Sequence, residues 1–476
     1  MAKFKIHQLI TATGGVLLQG NPENSVSGIT TDSRQIKPGE LFLALRGEKF
    51  DGHDFIDTAI RNGATAIISA EAINLPEPIA VIQTPDTLDA YGAIARFHRE
   101  RFPIPVIGIT GSNGKTTTKD LTAAVLFQKF TTVRTEANFN NEIGLPATLL
   151  NITPETEVAI VEMGMRGLGQ IRKLTEIARP NMAIITNVGL THLELLGSQK
   201  NIAKAKAELV EALPADGVAI LNGDDEYVRG MSSVTRARTV FFGLDHPDLD
   251  YRAEILAMDE NGSRFQVITS ARARMRSPEK NNLAHTGATF SVTLPISGEH
   301  NVRNALAAIA IAMELGVSEI LIQQGLSNPL ISEKRLRLVT KNGYSVIDDT
   351  YNASPTSVKA ALDVLALNQN GRRKMAVLGD MLELGPESPS IHREIGRYAA
   401  QIGVHQLYCY GELARDYLTG FQETIKSGGL KGRHFMSKTN LIQELKPTLQ
   451  PGDIILIKGS RGMKMEEIVA ALTDEG

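Results

Sequence analysis

An α/β fold in three domains, built on mostly parallel sheets, is what this sequence predicts. The chain has 476 residues, and at roughly 150 residues per domain that length gives about three. Short apolar runs alternate with helix-like patterns along most of it, as strand–helix units require. Several of the runs are continuously apolar, the mark of strands buried on both faces of a parallel sheet.

Taken in order, the first element that fixes a boundary is Arg101-Phe102-Pro103-Ile104-Pro105. Two prolines stand just before a strong strand there, so a small N-terminal domain is expected over residues 1–102. Strands follow at residues 104–110, 158–163, 183–188, 218–221 and 239–242, with helices at 118–129 and 203–212. The stretch 251–296 alternates in a β-like way and carries a polar insert at 271–285. Within it Arg272, Arg274 and Arg276 recur with period two. A basic strand face touching phosphates is one reading of these arginines. A solvated hairpin is the commoner one and the one expected, since charge runs usually mark solvent. The run at 305–313 is apolar and Ala-rich, as in a buried helix. Leu326-Ser327-Asn328-Pro329 ends the next helix and precedes a charged stretch at 333–337. The second boundary therefore falls near 332, giving domains 103–332 and 333–476. Strands at 345–349, 375–379, 406–410 and 454–458 complete the pattern.

Composition excludes whole classes. Lys plus Arg total 50 and Asp plus Glu 53, a net charge of −3, which argues against a nucleic-acid-coating protein. Apolar residues make up 42%, enough for large cores. The only cysteine, Cys409, makes no intrachain disulfide and no cysteine zinc site, and it fits a reducing compartment. The first residues are polar and basic with no apolar core, so no secretory signal is expected. No run approaches ~18 apolar residues, so no membrane insertion is expected. A cytoplasmic, multi-domain soluble protein remains.

The strongest local signal is Val106-Ile107-Gly108-Ile109-Thr110-Gly111-Ser112-Asn113-Gly114-Lys115-Thr116-Thr117. A buried strand runs into a glycine-containing loop that opens a helix. Gly111 and Gly114 let backbone N–H groups close around phosphate oxygens, and the helix N-terminus adds partial positive charge. Lys115 would neutralise β/γ charge and the Thr116 hydroxyl would reach Mg²⁺. The common pattern wants glycine where Ile109 stands, so this loop is a variant. A kinase glycine-rich loop or a dinucleotide fingerprint fits less well, because neither needs Gly-Lys-Thr-Thr at the helix start.

Phosphate chemistry with a metal also needs oxygen ligands near neighbouring strand ends. Glu162 stands at one strand end, and His192 follows another. Ala203-Lys204-Ala205-Lys206-Ala207-Glu208 reads from composition as a solvated helix face. Asn138-Phe139-Asn140-Asn141-Glu142-Ile143-Gly144-Leu145-Pro146 reads as a shaped loop whose amides either bond a ligand or simply make the turn.

In that order, the phosphate loop, the segment 141–146, Glu162-Met163-Gly164, His192 and Gly298-Glu299-His300-Asn301-Val302-Arg303-Asn304 carry a likeness over essentially the whole chain. It resembles the ATP-dependent Mur ligases, with folylpolyglutamate synthase a more distant relative. Thr31-Asp32-Ser33-Arg34 and the segment 43–55 look like the family's uridine-nucleotide-binding domain. Asp348-Asp349-Thr350-Tyr351-Asn352-Ala353-Ser354-Pro355 and Leu378-Gly379-Asp380-Met381-Leu382-Glu383-Leu384-Gly385 look like the branch that adds a dipeptide.

The resemblance implies an N-terminal α/β domain for the UDP-muramoyl substrate, a central P-loop ATPase-like domain and a C-terminal Rossmann-like domain for the incoming dipeptide. It implies that Gly111, Ser112, Asn113, Gly114, Lys115, Thr116 and Thr117 hold ATP phosphates, with His300, Asn301 and Asn304 near the nucleotide and Arg335 reaching it from the third domain. Lys334 stands where the family usually has glycine, and Ser354 where it usually has asparagine. Thr116 and Glu162 would bind one Mg²⁺; His192 and Lys206, the latter as a carbamate, would bind a second. Ser33, Arg34, Arg46, Gly47, Asp51, His53, Asn141, Tyr351 and Asn352 would contact substrate, and Lys115, His192, Lys206 and Asp349 would form the catalytic group. Lys458-Gly459-Ser460-Arg461-Gly462-Met463 matches a strand-end loop facing the substrate.

The activity so implied is amide ligation in peptidoglycan precursor synthesis. ATP turns the carboxylate of UDP-N-acetylmuramoyl-tripeptide into an acyl phosphate, and D-alanyl-D-alanine displaces the phosphate. The implied partners are these small molecules, with no nucleic acid, and the enzyme is expected to be a monomer. Three rival readings fit parts of the sequence: a ligase of the same superfamily with a single amino acid or folate as substrate, a nucleotide switch that makes no bond, and a nucleic-acid module on the 272–276 arginines.

Overall fold

The computed structural model describes residues 3–47, 50–274, 289–332, 334–367, 373–425 and 431–473. Three large sheets organise the chain, and each is flanked by helices.

The first sheet has five strands in the order Val16–Gln19, Ala80–Gln83, Ala66–Ser69, Leu41–Leu43 and Ile29–Thr30. All its pairings are parallel except that of Val16–Gln19. The helix Thr87–Glu100 starts at Asp86, whose carboxylate accepts from the Asp89 N–H, and buries Ala90, Tyr91, Ile94 and Ala95. That helix packs on Ile6–Thr13 and also on Gly144–Leu149 and Gln170–Ala178 of the next unit. Gly92 permits this approach, because a Cβ there would lie 2.9 Å from Ile177 Cδ1. Arg99 donates across the same seam to Ala178 O at 2.9 Å and locally to Phe102 O at 2.8 Å. The buried apolar side chains therefore run without a break from Phe4 and Ile94 to Val106 and Leu209.

The central sheet has nine strands: Thr289–Leu294, Gly262–Thr269, Tyr251–Asp259, Arg238–Gly243, Val218–Asn222, Met182–Ile185, Val106–Thr110, Val158–Glu162 and Thr132–Arg134. The first two pairings are antiparallel and the others parallel. The alternation at 251–296 is that antiparallel edge. Arg272 and Arg274 do not lie on a strand with period two; they share the helical turn Ala271–Arg274, and Arg276 lies outside the described residues. The run expected as a strand at 183–188 ends at Ile185, because Thr186 and Asn187 turn their side chains to the phosphate loop. The Ala-rich helix Glu299–Glu314 is fully buried from Ala305 to Ala312, its small side chains letting it lie against Lys115–Leu126.

The third sheet has six strands: Arg337–Lys341, Tyr344–Asp349, Ile454–Lys458, Lys374–Gly379, Gln406–Tyr410 and Lys431–Phe435. All pair in parallel except Arg337–Lys341. Alternate residues feed separate cores on its two faces: Ala376, Leu378 and Leu456 on one side, Met375, Val377 and Ile455 on the other. This double burial is why these strands read as continuous apolar runs. Cys409 is among the fully buried residues. Among the described residues no helix is long and apolar enough to cross a membrane.

Candidate active site

The phosphate loop follows from its two glycines. Gly111 has φ 155°, and a Cβ there would come within 1.8 Å of Thr186 Oγ1. Gly114 has φ 79° and would meet Asn304 Oδ1 at 2.5 Å. Ile109, where the common pattern has glycine, is still inside the strand and fully buried in the core. The loop leans on the neighbouring strand end. Ser112 N donates to Asn187 O at 2.9 Å, Asn113 N to Asn187 Oδ1 at 3.0 Å, and Thr186 Oγ1 to Asn113 O at 2.6 Å. Lys115 Nζ donates to Gly111 O at 2.8 Å and to Ser112 O at 3.2 Å. Burial pushes the Lys115 amine below its ordinary range, opposed by the Glu162 carboxylate and reinforced by Arg335. Thr117 is buried as the third residue of the helix Lys115–Leu126.

Glu162 is 1% exposed, so it is not a solvated strand terminus. Its two oxygens accept from Thr116 Oγ1 and Asn140 Nδ2, both at 2.8 Å. Asn141 instead accepts from Gly144 N at 2.9 Å and starts the helix Gly144–Leu149, so the amide-rich segment is loop only up to that point. The segment 203–208 is not the solvated face that composition suggested. Lys204 is exposed, but Lys206 and Glu208 are 2% and 5% exposed. Burial, with the Lys115 charge beside it, holds the Lys206 amine well below the ordinary lysine range.

The third domain closes over this cluster. Arg335 Nη2 donates to Thr116 Oγ1 at 2.9 Å, and its guanidinium lies 4.0 Å from the centre of the Tyr351 ring. Lys334, in place of glycine, has φ 63°. Ser354 caps the helix Pro355–Ala366 and donates to Asn113 Oδ1 at 2.7 Å. His192 Nδ1 donates to Glu383 Oε2 at 2.5 Å. Asp349 is ion-paired with Lys458, which also donates to Asn352 O at 2.9 Å. His300 is half-buried, and burial lowers its pKa to about 4 against the opposing pull of Asp349. Asn301 Nδ2 donates to Ser297 O at 2.8 Å, and Asn304 Oδ1 accepts from Thr118 Oγ1 at 3.2 Å beneath Gly114. Asn304 lies against the loop and donates in turn to Asn301 Oδ1 at 3.3 Å.

The N-terminal candidates form a cluster of their own. Arg46 bridges Asp51 and Glu71, each at 2.7 Å. His53 contacts Asp51 through Nδ1 at 2.5 Å and accepts from Ala70 N at 3.1 Å. Gly47 N donates to Phe50 O at 2.9 Å. Arg34 pairs with Asp32 at 2.9 Å, and Ser33 is buried. Among the described residues, no hydrogen bond joins this cluster to the phosphate loop.

Sequence reasoning missed Asn140, Thr186, Asn187, Glu383 and Lys458 as members of the site. Asn140, Glu383 and Lys458 lay inside motifs already singled out. Nothing local could have found the others, because their partners are distant in the chain.

The nucleotide fit can be judged from buried polar atoms. Among the described residues, Asn113 Nδ2 and Arg335 Nε are buried without a hydrogen-bond partner. Lys115 Nζ spends its donors on its own loop. The unspent donors of Asn113 and Arg335 suit a polyanion. The hydroxyl of Thr116 and the carboxylate of Glu162 are hard oxygen donors that suit Mg²⁺.

The chain matches family models described as Mur ligase middle domain over residues 109–312, Mur ligase, glutamate ligase domain over 334–461, and Mur ligase family, catalytic domain over 25–105. It is 37% identical to the UDP-N-acetylmuramoyl-tripeptide--D-alanyl-D-alanine ligase of Bacillus subtilis, covering 100% of this chain and 99% of that one. It is 40% identical to the protein of the same name from Synechocystis, covering 94% and 92%. Crystal structure I of MurF from Acinetobacter baumannii is similar with a TM-score of 0.88 and 34% identity over 99% of both chains. The MurF ligase of Thermotoga maritima in complex with ADP is similar with a TM-score of 0.78 and 27% identity, covering 94% and 96%. On this likeness over its full length, the chain belongs to the Mur ligase family.

Proposed function

We propose that this enzyme uses ATP to join D-alanyl-D-alanine to UDP-N-acetylmuramoyl-tripeptide, giving the pentapeptide precursor of peptidoglycan, ADP and phosphate, in the cytoplasm. The observation that carries the reading is the meeting of two domains at the phosphate loop: Arg335 and Ser354 from the third domain reach Thr116 and Asn113. The names of the full-length relatives supply the substrates. Residues 1–102 would hold the UDP-sugar through Ser33, Arg34, Arg46, Gly47, Asp51 and His53. Residues 103–332 would hold ATP, and residues 333–476 would hold the dipeptide beside Tyr351 and Asn352.

Two anions must approach in line, so positive charge has to stand between and around them. Lys115, Arg335 and the amides of the glycine loop do this for the triphosphate. The tripeptide's terminal carboxylate oxygen bonds to the γ-phosphorus, the bridging P–O bond breaks and ADP leaves. The dipeptide nitrogen then bonds to the carbonyl carbon, loses a proton, and phosphate departs. Thr116 and Glu162 would hold one Mg²⁺, and His192 and a carbamate on Lys206 a second; the metals supply charge neutralisation between the two anions. The depressed pKa of Lys206 supports the carbamate, because a neutral amine is the form that attacks CO₂. With Nδ1 engaged by Glu383, His192 keeps Nε2 as its ligating nitrogen. Closure of the third domain over the reacting groups would exclude water that would hydrolyse the acyl phosphate.

The test is phosphate release from ATP and Mg²⁺ with UDP-N-acetylmuramoyl-tripeptide, with and without D-alanyl-D-alanine. Release that requires both, with the pentapeptide product seen by mass, is expected. Release indifferent to the dipeptide overturns the acceptor assignment.

A further inference from the structure

Arg335 reaches the phosphate loop from a strained stretch of chain. Lys334 and Leu336 on either side of it have φ 63° and 52°, a left-handed backbone that L-residues avoid. Such a segment keeps its shape only when it is held at both ends. Downstream, Leu336 N donates to Asp349 Oδ1 at 3.3 Å. Upstream, Ser332 donates twice to one oxygen of Asp120, from its N–H at 2.9 Å and from its hydroxyl at 2.7 Å.

Asp120 lies on Lys115–Leu126, the helix whose N-terminus forms the phosphate loop, and it is 1% exposed. Its other oxygen faces Lys119 Nζ at 3.2 Å and Arg134 Nη1 at 3.4 Å. Lys119 has a second, shorter contact, to Thr135 O at 2.9 Å. The shortest contacts of Asp120 are thus the two with the interdomain linker, and the helix that cradles phosphate also holds the chain that delivers Arg335.

We propose that Asp120 is a positioning residue: by gripping Ser332 it sets the register of the linker between the central and third domains, so that Arg335 lands on the phosphate loop. The inference rests on the ligase reading above, in which Arg335 meets ATP. A carboxylate at Asp120 is suited to this task because it is buried and mounted on the same helix as Lys115, five residues further on.

The test uses the full-length enzyme and the variants Ser332→Ala, Ser332→Thr, Asp120→Asn and Arg335→Ala. Ser332→Ala removes one hydrogen bond to a charged group, and a drop in kcat of about tenfold is expected, with the KM for the UDP-substrate unchanged. Ser332→Thr restores the rate. In the Arg335→Ala background the serine substitution has no further effect. Asp120→Asn is expected to fall further than Ser332→Ala, and the serine variants keep the test sound if its fold is damaged. An equal loss in both backgrounds, or no loss in wild type, overturns the proposal. A readout apart from turnover is the distance between spin labels at Ile320→Cys and Met436→Cys, exposed sites on the central and third domains. Ser332→Ala and Asp120→Asn should broaden that distribution, and an unchanged distribution overturns the proposal. If the wild-type enzyme itself forms no pentapeptide while the label distances still respond to Ser332→Ala, the ligase reading fails and the linker grip stands.

Discussion

Lys115 spends its ammonium on the carbonyls of its own loop, a contact worth little beside what a triphosphate offers. Lys115→Ala should therefore leave folding intact and lower turnover by at least about 10³-fold, as loss of a preorganised charge does; phosphate release at saturating ATP measures it. Lys206 shows how far burial reverses a local reading. Its neighbour Lys204 is exposed, while Lys206, two residues on, is 2% exposed and its amine is held low. Stripping CO₂ from the buffer should slow the enzyme and added bicarbonate should restore it, whereas Lys206→Ala should not respond to bicarbonate. A progress curve in degassed buffer decides this. At this scale the sequence carried the phosphate loop in full, since a loop's chemistry depends on contiguous residues. It did not carry the pairing of Glu383 with His192, 191 positions away.

Among the elements, the helix Thr87–Glu100 joins the first unit to the central one. His98 on it donates Nε2–H to Ile152 O at 2.8 Å, and its Nδ1 is buried without a partner. Burial lowers its pKa below the ordinary imidazole range. The folded protein thus holds His98 neutral where an unfolded chain would protonate it. Its contribution is present in full above the unfolded pKa, about 6.5, and is lost as pH falls below that value towards the folded one. The urea midpoint should drop between pH 7.5 and pH 5.5, and less steeply in His98→Gln. An equal slope in the variant would remove His98 from the account. Strands with continuous apolar runs were legible because double burial writes itself on every residue. The end of Met182–Ile185 was not, because side chains bonded to another segment decide it.

At the scale of the whole molecule, the first and central units share one apolar core, while the third keeps two cores to itself. Its contacts with the phosphate-loop region are polar: His192 with Glu383, Thr116 with Arg335, Asn113 with Ser354. A fragment of residues 333–476 should therefore fold alone, and one of 1–102 should not, having lost the partner for its last helix; circular dichroism melts of the two fragments check this. Polar interfaces separate more readily than apolar ones, so without ATP the third domain should swing away in solution and ATP should hold it in the closed arrangement, seen as a smaller radius of gyration by X-ray scattering. By itself the sequence determined the α/β class, the parallel sheets and the phosphate loop, because periodicity and contiguous motifs encode what neighbours in the chain do. The tertiary structure alone decided that Lys206 is buried and that Asp120 holds Ser332, 212 positions away. It also brought Arg335 to Thr116 across 219. Those pairings arise from the packing of whole helices and domains against one another, and no local pattern records which surfaces meet.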